Sequence, residues 1–362
     1  MTFQAGILSD SAIEALIASG AVKIAVPLAE AQIQPASLDL RLGEKAYRVR
    51  ASFLPGARRT VAERLKDVTL HEFDITNGAV LETGCVYIVP LLESFALPKD
   101  ISASTNPKSS TGRLDIFTRI ITDRATRFDQ LDAGYTGPLY AEISPSTFPI
   151  LVRTGSRLAQ IRFRAGEPRL NDNELKALHA KHKLVDQDDA ILVDGLALSV
   201  DLSSFDNDNL IGYRAKRHAG LIDVDKRGGY EASDFWEPIY ASNDKSLVLD
   251  PRAFYILASK EAVHVPPETA AEMVAFDPLV GEFRVHYAGF FDPGFGHSAA
   301  GGSGARAVLE VRSYEVPFII EHGQVIGRLV YERMRELPKK LYGQDLKSNY
   351  QAQGLKLSKH FC

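Results

Sequence analysis

Lys108, Ser109, Ser110 and Arg113 fall within six consecutive positions, KSSTGR (108–113). Ammonium, hydroxyls, guanidinium and turn amides can all donate to the oxygens of a phosphate. Apolar residues follow at once in LDIF (114–117), so the stretch also reads as a solvated turn ahead of a strand. Its company elsewhere in the chain has to decide between a phosphate site and a turn.

The elements that would position this turn must come from a chain of 362 residues, long enough for two domains with a buried core in each. Apolar content of 45% and charged content of 24% are ordinary for a globular protein. A net charge of −4 provides no basic field, which argues against nucleic acid as a partner but leaves room for a local anion pocket. Cys85 and Cys362, the two cysteines, cannot build a disulfide framework or a cysteine zinc cluster. The reducing cytoplasm is the expected compartment. The first twenty residues lack the pattern of a signal peptide, and no stretch reaches the length of a membrane span. Ser9 or Asp10 should cap a short helix with Ile13, Leu16 and Ile17 on one face and Gly20 at its end.

Self-similarity organises the rest. VLETGCVYIVPLLESFALP, from Val80, aligns with LVLDPRAFYILASKEAVHVP when Pro98 is laid on Pro266. The same displacement of 168 lays PILVRTGSRLAQIRF (149–163) on PFIIEHGQVIGRLVY (317–331), and Glu142 on Glu310. Three blocks sharing one displacement indicate a duplicated domain, since the period is far too long for a solenoid. Short runs rich in Val, Ile, Tyr and Phe, punctuated by Pro and Gly, favour strands. The fold class expected is mainly β: two tandem distorted jelly rolls or barrels with a few short helices. Residues 1–170 form the first domain, 171–189 a helical linker capped near Asn171 to Asn173, and 190–362 the second domain. The copies differ. KSSTGR faces FDPLVG (276–281) in the second copy, which alone carries a glycine-rich loop between Gly294 and Glu310.

These pieces resemble the dCTP deaminases, relatives of the trimeric dUTPases. ILSDSAIEALIASG with IQPASLDLRLG (33–43) is similar to their opening, KSSTGRLDIF to their phosphate-and-water motif, and AGFFDPGFG (288–296) to their pyrimidine turn. VLE ending at Glu310 resembles their catalytic strand, and NYQAQGLKLSKHF (349–361) their C-terminal lid. The likeness spans nearly the whole chain as two diverged copies. It departs from the family in the duplication, in the missing serines and arginine of the second copy, and at Asn349, where the lid usually has lysine. Lys347 could substitute there.

The resemblance implies dUTPase-like domains, sites shared between neighbouring domains, and zinc-free hydrolysis of the cytosine amino group of dCTP to give dUTP. Water must attack C4, N3 must gain a proton, and ammonia must leave. One carboxylate within reach can shuttle those protons. Zinc deaminases show H-x-E with P-C-x-x-C, which two isolated cysteines cannot supply. The candidate shuttle is Glu310, placed at the end of a strand beside the glycine-rich loop, with Glu142 as the alternative. Ser109 and Arg113 would orient the water and offset charge at C4, while Lys108 and Ser110 would hold phosphate oxygens. Tyr287 and Ala288 precede the turn, and the Ala288 backbone would read the base. Asp292 would accept from the sugar hydroxyl and Phe295 pack on the ring. The lid would bring Tyr342, Lys347, Tyr350, Gln351 and Gln353 over the triphosphate. Magnesium is expected only with the triphosphate. His286, His297 and His322 form no ligand pattern and read as surface or core residues. The resemblance also brings dTTP feedback and a homo-oligomer into the expectations. A dUTP or dCTP pyrophosphatase, or a bifunctional enzyme using Asp292, is the enzymatic alternative. A nucleotide-sensing jelly roll is the non-enzymatic one. A single composite site, first-copy Lys108–Arg113 with second-copy Ala288–Glu310 and the tail, is expected to work, leaving Glu142 a relic.

Overall fold

The computed structural model describes residues 5–204, 208–275, 283–286, 289–313, 315–343 and 354–362. Five α-helices are described, all short: α1 (Asp10–Ala18), α2 (Val61–Val68), α3 (Ser109–Gly112), α4 (Asp172–His182) and α5 (Ala232–Phe235). Ser9 caps α1 by accepting from the Ala12 amide, and Ile13 and Leu16 are buried beneath it. Asn171 and Glu174 form a reciprocal capping box that starts α4. The remainder is β, as the runs of branched and aromatic residues predict. No described helix is long and apolar enough to cross a membrane.

In the first copy two six-stranded sheets face each other. One centres on Ile101–Pro107 and Ala159–Ala165, the other on Val86–Ala96 and Thr136–Pro145. Alternate residues of both point inward, so Leu38, Leu40, Ile161 and Phe163 meet Val89, Ile120, Ala141 and Ile143 in one buried core. Each of the larger side chains among them contributes about 1.5–3 kcal/mol by leaving water. The second copy repeats the plan with a four-stranded and a five-stranded sheet, cored by Leu198, Leu257, Leu309, Ile326 and Leu329. The repeat holds to the level of strand register. Glu142 lies opposite Ile88 and Glu310 opposite Ile256. Ala159 pairs with Pro107 and Gly327 with Ala275. Ile150 pairs with Leu81 and Phe318 with Leu249. Every one of these pairs is displaced by 168.

The copies meet through an unequal interface. First-copy strand Ile150–Val152 receives second-copy strand Ile222–Asp223 as a parallel neighbour. Phe148 inserts edge-on between Phe235 and Trp236, with ring centroids 5.6 and 5.5 Å away. Phe254, Ile256 and Val308 of the second copy's five-stranded sheet thereby join the first copy's core. The matching face of the first copy is not available for such a contact. There α2 folds back over Val49, Ile88, Ile121 and Tyr140, burying Val61, Leu65 and Val68. The capping box between Thr60 and Glu63 that starts α2 is readable in the sequence as T-x-x-E, yet it was not among the expected elements.

Candidate active site

The KSSTGR turn begins where Pro107 closes strand Ile101–Pro107. Lys108 is the N-cap of α3, and its carbonyl accepts from the Thr111 and Gly112 amides. Arg113 closes the helix and is buried, 3% exposed. Ser109 is half-buried at the first helical position, while Ser110 is buried. Lys108 pairs with the Asp39 carboxylate, which also lies 3.4 Å from Arg157. Two residues past Arg113, Asp115 adopts φ 56°, a left-handed conformation that Asp tolerates better than most residues.

Across the copy boundary stands strand Ala305–Ser313 of the second copy. Glu310 is its sixth residue and is 6% exposed. The carboxylate therefore sits within the strand rather than at its end, because Val311 and Arg312 continue the ladder with Tyr255 and Phe254. Burial pushes the Glu310 carboxyl up to about 8; Arg113 opposes that shift and Asp115 adds to it. Both come from the first copy. Arg312, two positions on and hence on the same face, forms an ion pair with buried Asp115. Thr147 donates to that same Asp115 oxygen at 2.5 Å. A carboxyl that gains and loses its proton near neutrality thus faces a fixed guanidinium from the other copy.

The pyrimidine turn follows strand Phe290–Phe291 of the second copy's four-stranded sheet. Asp292 is buried, and its Oδ1 accepts from Arg162 at 3.1 Å. Burial raises its carboxyl, with Arg162 pulling the other way. Arg162 is itself fully buried; it donates to the Ala271 carbonyl at 3.0 Å and lies 4.1 Å over the Phe290 ring. First-copy Asn106 donates to second-copy Glu272 at 2.9 Å. Phe295 differs from expectation. It is a core residue packed on Phe291 at 5.0 Å and Tyr342 at 5.6 Å, because the turn folds it under the sheet rather than outward. Gly296 has φ 63°, and a Cβ there would meet the Val263 carbonyl at 2.2 Å, so the turn requires glycine. Tyr342 is half-buried, and its amide donates to Pro293. Tyr287, Ala288, Lys347, Asn349, Tyr350, Gln351, Gln353 and the FDPLVG span lie outside the described residues.

The end of the tail returns to the first copy. Arg113 donates to the Lys356 carbonyl at 2.9 Å, and Ser358 donates to the Ser110 carbonyl at 2.9 Å. The His360 ring bridges the Ser358 hydroxyl and the Val224 carbonyl, each at 2.9 Å; burial lowers its pKa to about 4. Phe361 packs among Phe235, Trp236 and Tyr230. Burial, with Lys108 and Arg227 nearby, lowers Lys359 to about 8, and Asp39 opposes the shift. Lys108 and Arg157 thus meet at Asp39, with Lys359 coupled to them and to Arg227, a cluster of cations suited to a polyanion.

Glu142, at the same register position in the first copy, is placed differently. It is buried and clasped by Arg119 at 2.6 Å, and Arg119 is sandwiched by Phe128 at 3.5 Å and Phe117 at 4.6 Å. Ser52, just ahead of α2, also receives a bond from Arg119. The structure therefore brings together Lys108, Arg113, Glu310 and the tail, with Ser109 and Ser110 on the turn between them, and leaves Glu142 in a separate closed pair. Asp39, Asp115, Arg162 and Arg312 were not anticipated, since their partners are distant in sequence and no motif marks them. His297 and His322 each accept a backbone amide, from Ala299 and Leu202.

Comparison with known proteins bears on both halves of the chain. Residues 4–167 match the family model of the 2'-deoxycytidine 5'-triphosphate deaminase N-terminal domain, and residues 171–361 that of the C-terminal domain. A dUMP-forming dCTP deaminase of Acidothermus cellulolyticus is 32% identical over 164 residues, 45% of this chain and 82% of that protein. A dCTP deaminase of Halorubrum lacusprofundi is 31% identical over 162 residues, 43% of this chain and 76% of that protein. Such relatives span under half of this chain, as they should if it carries two copies of their domain. A crystal structure of 2'-deoxycytidine 5'-triphosphate deaminase from Agrobacterium tumefaciens superposes with a TM-score of 0.88 at 64% identity, covering 91% of this chain and 99% of that one. Through both halves of its length, the chain belongs to the dCTP deaminase family.

Proposed function

We propose that this protein hydrolyses the cytosine amino group of dCTP, giving dUTP and ammonia, at one composite site per chain. The observation that carries the proposal is the buried Glu310 of the second copy facing Arg113 of the first, at a carboxyl poised near 8. Ionised Glu310 takes one proton from the water as it attacks C4 and delivers it to N3, then carries the second, from the C4 hydroxyl, to the departing amine, so that the C4 carbonyl forms, ammonia leaves and the carboxylate is regenerated. Arg113 and Ser109 orient the water and offset charge developing at C4. Lys108 and Ser110, with Lys359, Arg157 and Arg227, hold the triphosphate, whose magnesium arrives as part of the substrate. The docked tail excludes water. We expect no zinc in the reaction, because two isolated cysteines cannot supply the P-C-x-x-C ligands of a zinc deaminase. dTTP, which carries the same triphosphate and sugar, would compete for this pocket.

The dUMP-forming relatives favour a second reading in which diphosphate is also released. Asp292 would have to activate a second water near the α-phosphate, but its Oδ1 is engaged by Arg162. We therefore place deamination first. Incubating the purified protein with dCTP and magnesium, then identifying products, decides. Equal ammonia and dUTP support the proposal, and dUMP with diphosphate supports the second reading. Tight dCTP binding without any product would favour a nucleotide-sensing module.

A further inference from the structure

Asp115 ties three parts of the molecule together. Its carbonyl accepts from the Ser146 amide, and its Oδ2 accepts from the Thr147 hydroxyl and the Arg312 guanidinium. Arg312 also donates to Thr147 at 3.1 Å and, with its other nitrogen, to the Arg252 carbonyl at 2.8 Å. Asp115 is 1% exposed, so this is a buried charge pair spanning 197 residues and the copy boundary. Removing one member of such a pair leaves an uncompensated charge, which makes the pair exacting about geometry. Each member lies two residues from a proposed catalytic group, Asp115 from Arg113 and Arg312 from Glu310.

We propose that Asp115, Arg312 and Thr147 form an inter-copy clamp that holds the Arg113 turn against the Glu310 strand and sets the charge balance around that carboxyl. Asp115 and Arg312 are positioning residues, acting through Glu310. The inference rests on the reading that Glu310 carries the proton. The charges acting on Glu310 are Arg113 and Asp115 from the turn, Arg312 lies two positions along on the same face of its strand, and its register partners are Ile256 and His286.

The test is the pH dependence of kcat/KM for dCTP in four proteins. In the unsubstituted enzyme the rate rises as Glu310 ionises near pH 8. Asp115→Asn keeps the acceptor and suits the left-handed backbone but removes an anion that opposes ionisation, so the rising limb should move about one pH unit lower. Arg312→Gln removes a cation and should move it about one unit higher. The double variant restores neutrality and should return the limb close to its starting position, and it stays informative if Arg312→Gln alone folds poorly. Lowered rates with unmoved limbs, or shifts of the two single variants in the same direction, would overturn the clamp. Glu310→Gln separates the two readings: if the limb persists there, the role of Glu310 fails, whereas if it vanishes while Asp115→Asn leaves it in place, the clamp alone fails.

Discussion

Replacing Arg113 by alanine should remove turnover while sparing the fold. Because Glu310 is held near 8, about nine-tenths of it is protonated at pH 7. Losing Arg113 then strands little charge in the interior. The stability cost includes the bond to the Lys356 carbonyl and local packing, which together contribute about 1–2 kcal/mol. The cost to catalysis is larger and has two parts. Loss of a fixed donor aimed at developing charge costs about 10²–10³ in kcat. Arg113 also favours ionised Glu310, and each further unit of upward shift removes about another tenfold of ionised carboxylate at pH 7. Together these predict a fall of about 10³ or more at pH 7, only partly recovered at pH 9. The assay is ammonia release at saturating dCTP at both pH values, beside a denaturant melt. A variant within tenfold of the original enzyme, or one that fails to fold, would refute the reasoning.

Other outcomes follow from the same geometry. Enzyme treated with a chelator and returned to magnesium should recover its full rate, and a specific requirement for added zinc would contradict the account. Phe361→Ala removes a half-buried ring from the Phe235–Trp236–Tyr230 cluster, weakening tail docking by about 2 kcal/mol. It should raise KM for dCTP more than it lowers kcat, and an unchanged KM would count against a docked tail in substrate binding. His360 has a docked pKa near 4, below its ordinary value of about 6.5. Its contribution is present above pH 6.5 and is lost as pH falls toward 4. Hydrogen-exchange protection factors in residues 354–362, taken relative to the intrinsic rate at each pH, should accordingly fall between pH 7 and pH 5, and equal protection at both would contradict this.

The duplication was legible because the displacement of 168 survives as strand register, in Ile88 with Glu142 and Ile256 with Glu310. Alternating burial fixes that register: a slip of one residue would turn the apolar face to water. The α1 and α4 caps were legible for a local reason, since Ser9 and Asn171 bond amides within three residues. The clamp was not. Asp115 reads as an ordinary turn residue and Arg312 as an exposed strand residue until the two copies are brought face to face. Phe295 misled because an aromatic beside a Pro-Gly turn looks equally suited to a ligand and to the core. The closure of Glu142 depended on α2, whose capping box was present in the sequence but whose docking face is set by Val49, Ile88 and Tyr140 far along the chain.

One working site per chain, assembled from both copies, is put to the test by comparing two glutamine substitutions. With ammonia release from saturating dCTP as the readout, Glu310→Gln should lose nearly all turnover, because an amide cannot accept the proton of the attacking water. Glu142→Gln, whose amide oxygen can still accept from Arg119, should keep most of it. Full activity in Glu310→Gln together with loss in Glu142→Gln would contradict the composite site and move catalysis to the first copy.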